Sequence, residues 1–253
     1  VRRPQAQRGD LPPSAALGLQ LVQDFAGEDA GHRAMSRVEP LDGGFGRRLE
    51  VDMVAQAVAI ALQCDGAPVQ LVWTREQDTK HDMYRPAALS RFAARLDEHG
   101  RIASWDNKSV SGSITHQYLQ RNFGLPGAGP DKTTAEGEFD MPYEIANQRI
   151  AHVIADSAVP VGYWRSVGHS HNAFFKESFI DELAHAAGQD GIAFRRAMLA
   201  QHPRHLAVLD AAVSKAGSAP PGHAHGVALH QSVGSIVAQV AQVSVENGEI
   251  RVQ

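Results

Sequence analysis

The segment Leu41-Asp42-Gly43-Gly44-Phe45-Gly46-Arg47-Arg48 constrains this chain more than any other. Three glycines frame one aromatic ring, two arginines follow, and an apolar helical repeat begins at once. Glycine allows backbone angles and close approaches that a β-carbon forbids. Arginine pairs well with phosphate. A helix N-terminus turns unpaired N–H groups toward an anion. Together these features predict a loop that holds a large phosphorylated ligand, with Phe45 against it. The plainer alternative is a tight turn that packs Phe45 into a core. The segment lacks both the dinucleotide fingerprint spacing and the Gly-Lys-Ser/Thr ending of a phosphate loop.

The 253 residues suffice for one large domain or two small ones. At 43% apolar and 21% charged, the composition is that of an ordinary globular protein. A net charge of -4 gives no electrostatic case for a nucleic-acid partner. No apolar run reaches the roughly 18 residues that a membrane span needs. Arg2-Arg3 is followed by polar residues, which speaks against a signal peptide and an export signal. The compartment, cytoplasmic or periplasmic, stays open. Cys64 is the sole cysteine, so a four-cysteine zinc or iron–sulfur site cannot form within these residues.

Three regions are expected: a loop-rich segment 1–37, a main region 38–217, and a linker with the start of a β region over 218–253. A short helix fits 15–25. In the main region Val51, Val54, Val58 and Leu62 repeat at helical spacing, which predicts a helix over 49–62, ended by Cys64-Asp65-Gly66. The apolar run 68–73 predicts a buried strand. Strands over 91–96 and 101–105 flank Asp97-Glu98-His99-Gly100, a hairpin turn. Residues 111–140 show no clear period and are expected to be surface loop; 142–160 predicts strand and turn. Phe175, Phe179, Leu183 and Ala186 form the stripe of a helix over 172–187, with Asn172 as N-cap and Gly188 as stop. Two further helices are expected, over 192–201 and from Pro203 to Gly217. Residues 218–225 are a linker, 227–245 is β-like, and Asn247-Gly248 is a second hairpin turn.

The stretch Tyr163-Trp164-Arg165-Ser166-Val167-Gly168 repeats the logic of the first loop: one cation on irregular backbone just before an apolar helix. A salt-bridged surface arginine is its plainer alternative. The 13 histidines include His169, His171, His223, His225 and His230, but no His-Glu-x-x-His occurs and no metal site is assigned. Ser170 sits in a partial nucleophile elbow in which Asn172 replaces the final glycine.

Taken in order, Gly43 to Asp52, then Val69-Gln70-Leu71-Val72-Trp73-Thr74-Arg75-Glu76, then Tyr84-Arg85-Pro86, resemble the molybdenum-binding large subunit of the xanthine oxidase family. The branch is the isoquinoline 1-oxidoreductase β-subunit type. The stretch from Tyr163 to Gly168 and the helix through Glu177 and Leu183 resemble the family's second cofactor-binding stretch. Residues 226–230 and 235–245 resemble the strand region after it. The likeness spans residues 38–253.

The resemblance implies an α+β (mixed α/β) fold, part of the molybdopterin-binding domain of molybdenum hydroxylases. It implies molybdenum-molybdopterin cytosine dinucleotide as cofactor, a small iron–sulfur subunit as partner, and an aromatic heterocycle or aldehyde as substrate, with oxygen drawn from water. By position it places Gly43, Gly44, Phe45, Gly46, Arg47, Arg165, Ser166 and Gly168 at the cofactor. Neutral backbone donors and fixed cations around an anionic group need little reorganisation during turnover.

Asp42 stands where the family often has glycine. Leu49 and Thr134 stand where purine-oxidising members carry glutamate and arginine, which disfavours xanthine. No catalytic residue is assigned: the general-base glutamate is expected beyond Gln253, so the chain is expected to be a fragment, inactive alone. The rival expectation is a non-catalytic paralogue that keeps only the fold.

Overall fold

The computed structural model describes residues 44–64 and 67–253. The segment 1–37 and the short helix expected in it, as well as Asp42, Gly43, Asp65 and Gly66, lie outside the described residues. The described residues fold into two compact units, and the chain visits each one three times.

The first unit takes residues up to Ala87, Gly112–Asp131 and Ala155–Arg165. A 3-10 turn, Arg47–Leu49, follows the glycine loop, and extended backbone at Glu50 separates it from α1, Asp52–Ala61. The predicted helix is therefore present but starts three residues late. The predicted strand over 68–73 is absent. Those residues are irregular and Val72 is 73% exposed. Apolar composition alone does not make a strand; it needs a neighbouring strand to satisfy its N–H and C=O groups. Helix α2, Arg75–His81, is started by a capping box: Thr74 Oγ1 accepts from the Gln77 N–H at 3.2 Å, and Gln77 Oε1 accepts from the Thr74 N–H at 3.0 Å. The expected loop over 111–140 contains two helices. One is α3, Ile114–Phe123, capped by Ser113 and stopped by left-handed Gly124. Its period was hidden because its polar residues serve distant partners. The buried Asp131 carboxylate accepts from Ser113 Oγ at 2.7 Å and from Thr115 N and Oγ1 at 3.0 Å.

The other is α4, Lys132–Ala135, in the second unit. That unit holds two three-stranded sheets. Strands β1, Ala88–Leu96, and β2, Ile102–Ser111, form the hairpin predicted around Asp97–Gly100, with Phe92 opposite Asn107. Strand β3, Gln148–Ile154, runs parallel to β2. Helix α5, His169–Ala186, begins three residues before its predicted start. Asn172 is thus not the N-cap. It lies buried in the first turn, where its Nδ2 donates to the carbonyls of Thr134 and Glu136 at 3.0 Å. Helices α6, Gly191–Met198, and α7, Pro203–Ala216, follow. Strands β4, His223–Ser232, β5, Ser235–Glu246, and β6, Glu249–Val252, form the second sheet, all antiparallel. The β-like stretch 227–245 is two strands joined at Val233-Gly234, and β4 starts inside the expected linker.

The core of this unit gathers Ile102, Trp105, Tyr143, Ile180, Leu183, Phe194, Leu209 and Leu229. Phe92, Trp105 and Phe179 pack as a triangle of rings with centroids 5.0–5.4 Å apart. Each such buried side chain stabilises by roughly 1.5–3 kcal/mol. Among the described residues no helix is long and apolar enough to cross a membrane.

Candidate functional site

Gly44, Phe45 and Gly46 all have positive φ, at 109°, 54° and 98°. For a phenylalanine this is uncommon. The conformation holds the Phe45 ring 65% exposed, so it is not packed into a core. Gly46 is required by packing: a β-carbon there would lie 1.9 Å from the Tyr163 carbonyl oxygen. The glycine loop and the stretch 163–165 therefore touch through their backbones. As a result the Arg165 guanidinium lies 5.2 Å from the Phe45 ring centroid, a cation–π arrangement. Sequence had placed these residues in two separate loops; the first unit brings Gly44, Phe45, Gly46 and Arg165 together.

Both loops are anchored from below. Glu50, 6% exposed, accepts from Arg121 Nε at 3.0 Å and Asn122 Nδ2 at 3.1 Å, which ties the exit of the glycine loop to α3. Val161 N donates to Gln117 Oε1 at 2.8 Å, and the hydroxyls of Thr115 and Tyr163 are 3.2 Å apart. Tyr84 N donates to the Pro160 carbonyl at 2.9 Å and its own carbonyl accepts from Gly162 N at 3.1 Å.

Arg47 is used differently from Arg165. Its Nη atoms donate to both oxygens of Asp52 at 2.9 Å, and its Nε donates to Asp78 at 2.8 Å. Burial opposes its charge, and these carboxylates outweigh burial, leaving its pKa above the ordinary range. Its guanidinium binds the 3-10 turn to α1 and α2.

Ser166 and Gly168 belong to the second unit. Ser166 and Val167 have φ of 61° and 45°, strained for a β-branched valine. A β-carbon on Gly168 would lie 2.5 Å from the Thr133 carbonyl oxygen, so this glycine seats the start of α5 on backbone. Ser170 sits in the first turn of α5, its hydroxyl 2.6 Å from that of Ser166, and not at a strand-to-helix elbow. Thr134 is fully buried with its hydroxyl 3.3 Å from His152 Nε2, whereas Leu49 is 45% exposed.

Sequence did not show the surroundings of two titratable groups of this unit, buried Glu138 and half-buried His230. Burial pushes the Glu138 carboxyl up to about 7, against a hydrogen bond with Ser109 that lowers it. Burial, then the charges of Lys176 and His169, pushes His230 down to about 4. Lys176 Nζ is 3.2 Å from His230 Nδ1, and His230 Nε2 is 2.9 Å from His169 Nδ1. Among the described residues no three His, Cys, Asp or Glu side chains converge on a metal-binding geometry.

Comparison with known proteins decides the family. Residues 30–199 match the molybdopterin cofactor-binding domain. This chain belongs to that family. It is 28% identical over 214 residues to isoquinoline 1-oxidoreductase subunit beta of Brevundimonas diminuta, covering 82% of this chain and 27% of that protein. It is 29% identical over 200 residues to a membrane-bound aldehyde dehydrogenase of Gluconacetobacter polyoxogenes whose name specifies pyrroloquinoline-quinone, covering 76% and 24%. Its fold matches quinoline 2-oxidoreductase from Pseudomonas putida 86 with a TM-score of 0.56 at 15% identity, over 74% of this chain and 27% of that one. The chain thus spans about a quarter of the length of the curated relatives it matches. The mixed helix and sheet content agrees with the α+β expectation.

The first unit fits the family's cofactor. It offers strained backbone with small residues at Gly44 and Gly46, an exposed flat ring at Phe45, and a guanidinium held over that ring at Arg165. A phosphorylated pterin has the anionic and planar parts that such groups bind.

Proposed function

We propose that this chain is the cofactor-holding part of a molybdenum oxidoreductase that hydroxylates N-heteroaromatic compounds or oxidises aldehydes with oxygen from water. The cofactor would be the cytosine dinucleotide form of molybdopterin, with electrons leaving through iron–sulfur clusters on a separate small subunit. The names of the two curated relatives support the substrate classes. One observation carries the reading: Gly46 meets the Tyr163 backbone and thereby sets Arg165 over Phe45. When bound, the cofactor supplies the two-electron redox and oxygen-transfer chemistry. The chain's own part is to bind and orient. Gly44 and Gly46 permit the left-handed backbone that holds Phe45 outward, Gly46 also seats the loop on the Tyr163 backbone, Phe45 offers a face, and Arg165 offers a fixed cation. Arg47 acts through its hold on the 3-10 turn; Gly43 lies outside the described residues, and Ser166 and Gly168 shape the start of α5 in the second unit.

The test is to express the full-length protein with its partner in a host that makes molybdopterin, then to measure bound pterin and molybdenum. Arg165→Met is expected to lower bound pterin by about tenfold or more, since a charge-assisted contact to phosphate is worth roughly 1.5–3 kcal/mol. A folded wild-type protein without pterin would sink the proposal.

A further inference from the structure

Tyr84-Arg85-Pro86 runs alongside the stretch that carries Arg165. Tyr84 bridges Val161 in parallel. Pro86 is buried, and a residue before proline is held extended, so Arg85 springs from a stiff base. Its Nη2 donates to the Arg165 carbonyl oxygen at 2.8 Å. Its guanidinium carbon lies 6.0 Å from the Trp164 ring centroid. One planar group therefore engages two consecutive residues: it faces the ring of Trp164 and bonds the backbone of Arg165. Two cation–aromatic pairs result, Arg85 with Trp164 and Arg165 with Phe45, joined by that one hydrogen bond. The bond fixes the plane of the peptide that follows Arg165, and hence the direction in which the Arg165 side chain leaves the chain. Lysine could not do the same, because a compact ammonium has no flat face and no fork of donors.

We propose that Arg85 is a positioning residue: it aims Arg165 over Phe45 and so sets how tightly molybdopterin is held, without touching the cofactor. This rests on Arg165 being a cofactor contact. Burial lowers the pKa of Arg85 from its usual value, but an arginine so shifted keeps its charge at neutral pH.

A double-mutant cycle on the full-length holoenzyme tests it, with pterin retained after extensive dilution as the readout. Arg85→Met is expected to lower retention about fivefold, and Arg165→Met about tenfold. If Arg85 acts through Arg165, the double variant falls no lower than Arg165→Met alone, within about twofold. The unfolding midpoint of the cofactor-free Arg85→Met protein is expected to stay within about 2 °C of wild type. Losses that multiply in the double variant would show an independent cofactor contact and overturn the proposal. So would unchanged retention in Arg85→Met, or a midpoint that falls in step with retention. No loss in Arg165→Met would instead remove the underlying reading, which keeps the two failures apart. Arg85→Lys, which keeps the charge but not the flat fork of donors, covers the case in which Arg85→Met does not fold. Retention between wild type and the Arg165→Met level supports the proposal; wild-type retention shows that a point charge suffices and overturns it.

Discussion

A β-carbon on Gly46 would overlap the Tyr163 carbonyl oxygen and would also have to tolerate a φ of 98°. Backbone atoms cannot move aside as a side chain can, so the two loops would have to part. Gly46→Ala is therefore expected to cost about 2 kcal/mol or more in the first unit and to abolish bound pterin. Gly44→Ala is a useful contrast. There the new atom would meet the Arg48 side chain, which can swing away, though the φ of 109° keeps some strain. Its loss is expected to be the smaller of the two. Thermal unfolding and pterin content of both variants check this. Equal losses would show that backbone strain, and not the contact with Tyr163, is what these glycines serve. At this scale sequence was informative: the glycines, Phe45 and Arg165 stand out by type and spacing. What it could not show is that Gly46 meets Tyr163, since no local rule couples residues so far apart in the chain.

Among the elements, α5 shows why pattern reading works and where it fails. Phe179 and Leu183 of the predicted stripe do join the core, yet Ala186 is exposed and the buried face also contains Lys176 and Glu177. A charged residue counts as solvent-facing in any periodicity argument. Glu177 is inside because it has partners that the sequence does not reveal. It accepts from Tyr143 Oη, Arg195 Nε and Leu229 N, each at 3.0 Å. One carboxylate thus joins α5 to α6, to β4 and to Tyr143. Burial, then the Glu177 charge, pushes the Tyr143 hydroxyl well above its usual pKa, so it stays a donor. Glu177→Gln is expected to destabilise the second unit by about 3–5 kcal/mol, because Arg195, fully buried, would keep only Asp181 as counter-charge. Replacing both Glu177 and Arg195 with methionine is expected to recover most of that loss, since the buried Arg195 charge is then gone together with its partner. Urea unfolding followed at Trp105 measures both. A double variant no better than Glu177→Gln would mean that the Tyr143 and Leu229 contacts, not the ion pair, carry the cost. The hairpin turns at Asp97–Gly100 and Asn247-Gly248 were legible because turn chemistry is local. The run 68–73 and helix α3 were misread because strand pairing and Asp131's role are not.

At the scale of the whole molecule, the two units are each assembled from three stretches of chain, so neither is complete until distant segments meet. Trp105 is the sole tryptophan of the second unit, so with Trp73 and Trp164 replaced by phenylalanine in every variant compared, its fluorescence reports on that unit. That unit contains two groups, buried Glu138 and half-buried His230, whose effects on stability run in opposite directions with pH. Glu138 is raised from 4.5 to about 7, so the folded unit keeps a proton that the unfolded chain gives up. Its contribution is fully present below pH 4.5 and is lost as pH rises through about 7, a change of about 3 kcal/mol. His230 is lowered from 6.5 to about 4, so the folded unit refuses a proton that the unfolded chain accepts. Its contribution is fully present above pH 6.5 and is lost as pH falls toward about 4. His169, lowered by burial and by Lys176, adds to the same side. Between pH 4.5 and 6.5 the two slopes oppose each other, and the wild-type unit is expected to show little pH dependence there. Glu138→Gln removes one of them. The variant is expected to match wild type near pH 4.5, to gain stability steadily up to pH 6.5, and to exceed wild type at pH 8 by up to about 3 kcal/mol. His230→Gln is expected to show the mirror image, with stability falling between pH 4.5 and 7. Denaturation curves at half-unit pH steps, read from Trp105 fluorescence, decide it. Curves for Glu138→Gln that run parallel to wild type at every pH would show that Glu138 titrates normally in the fold.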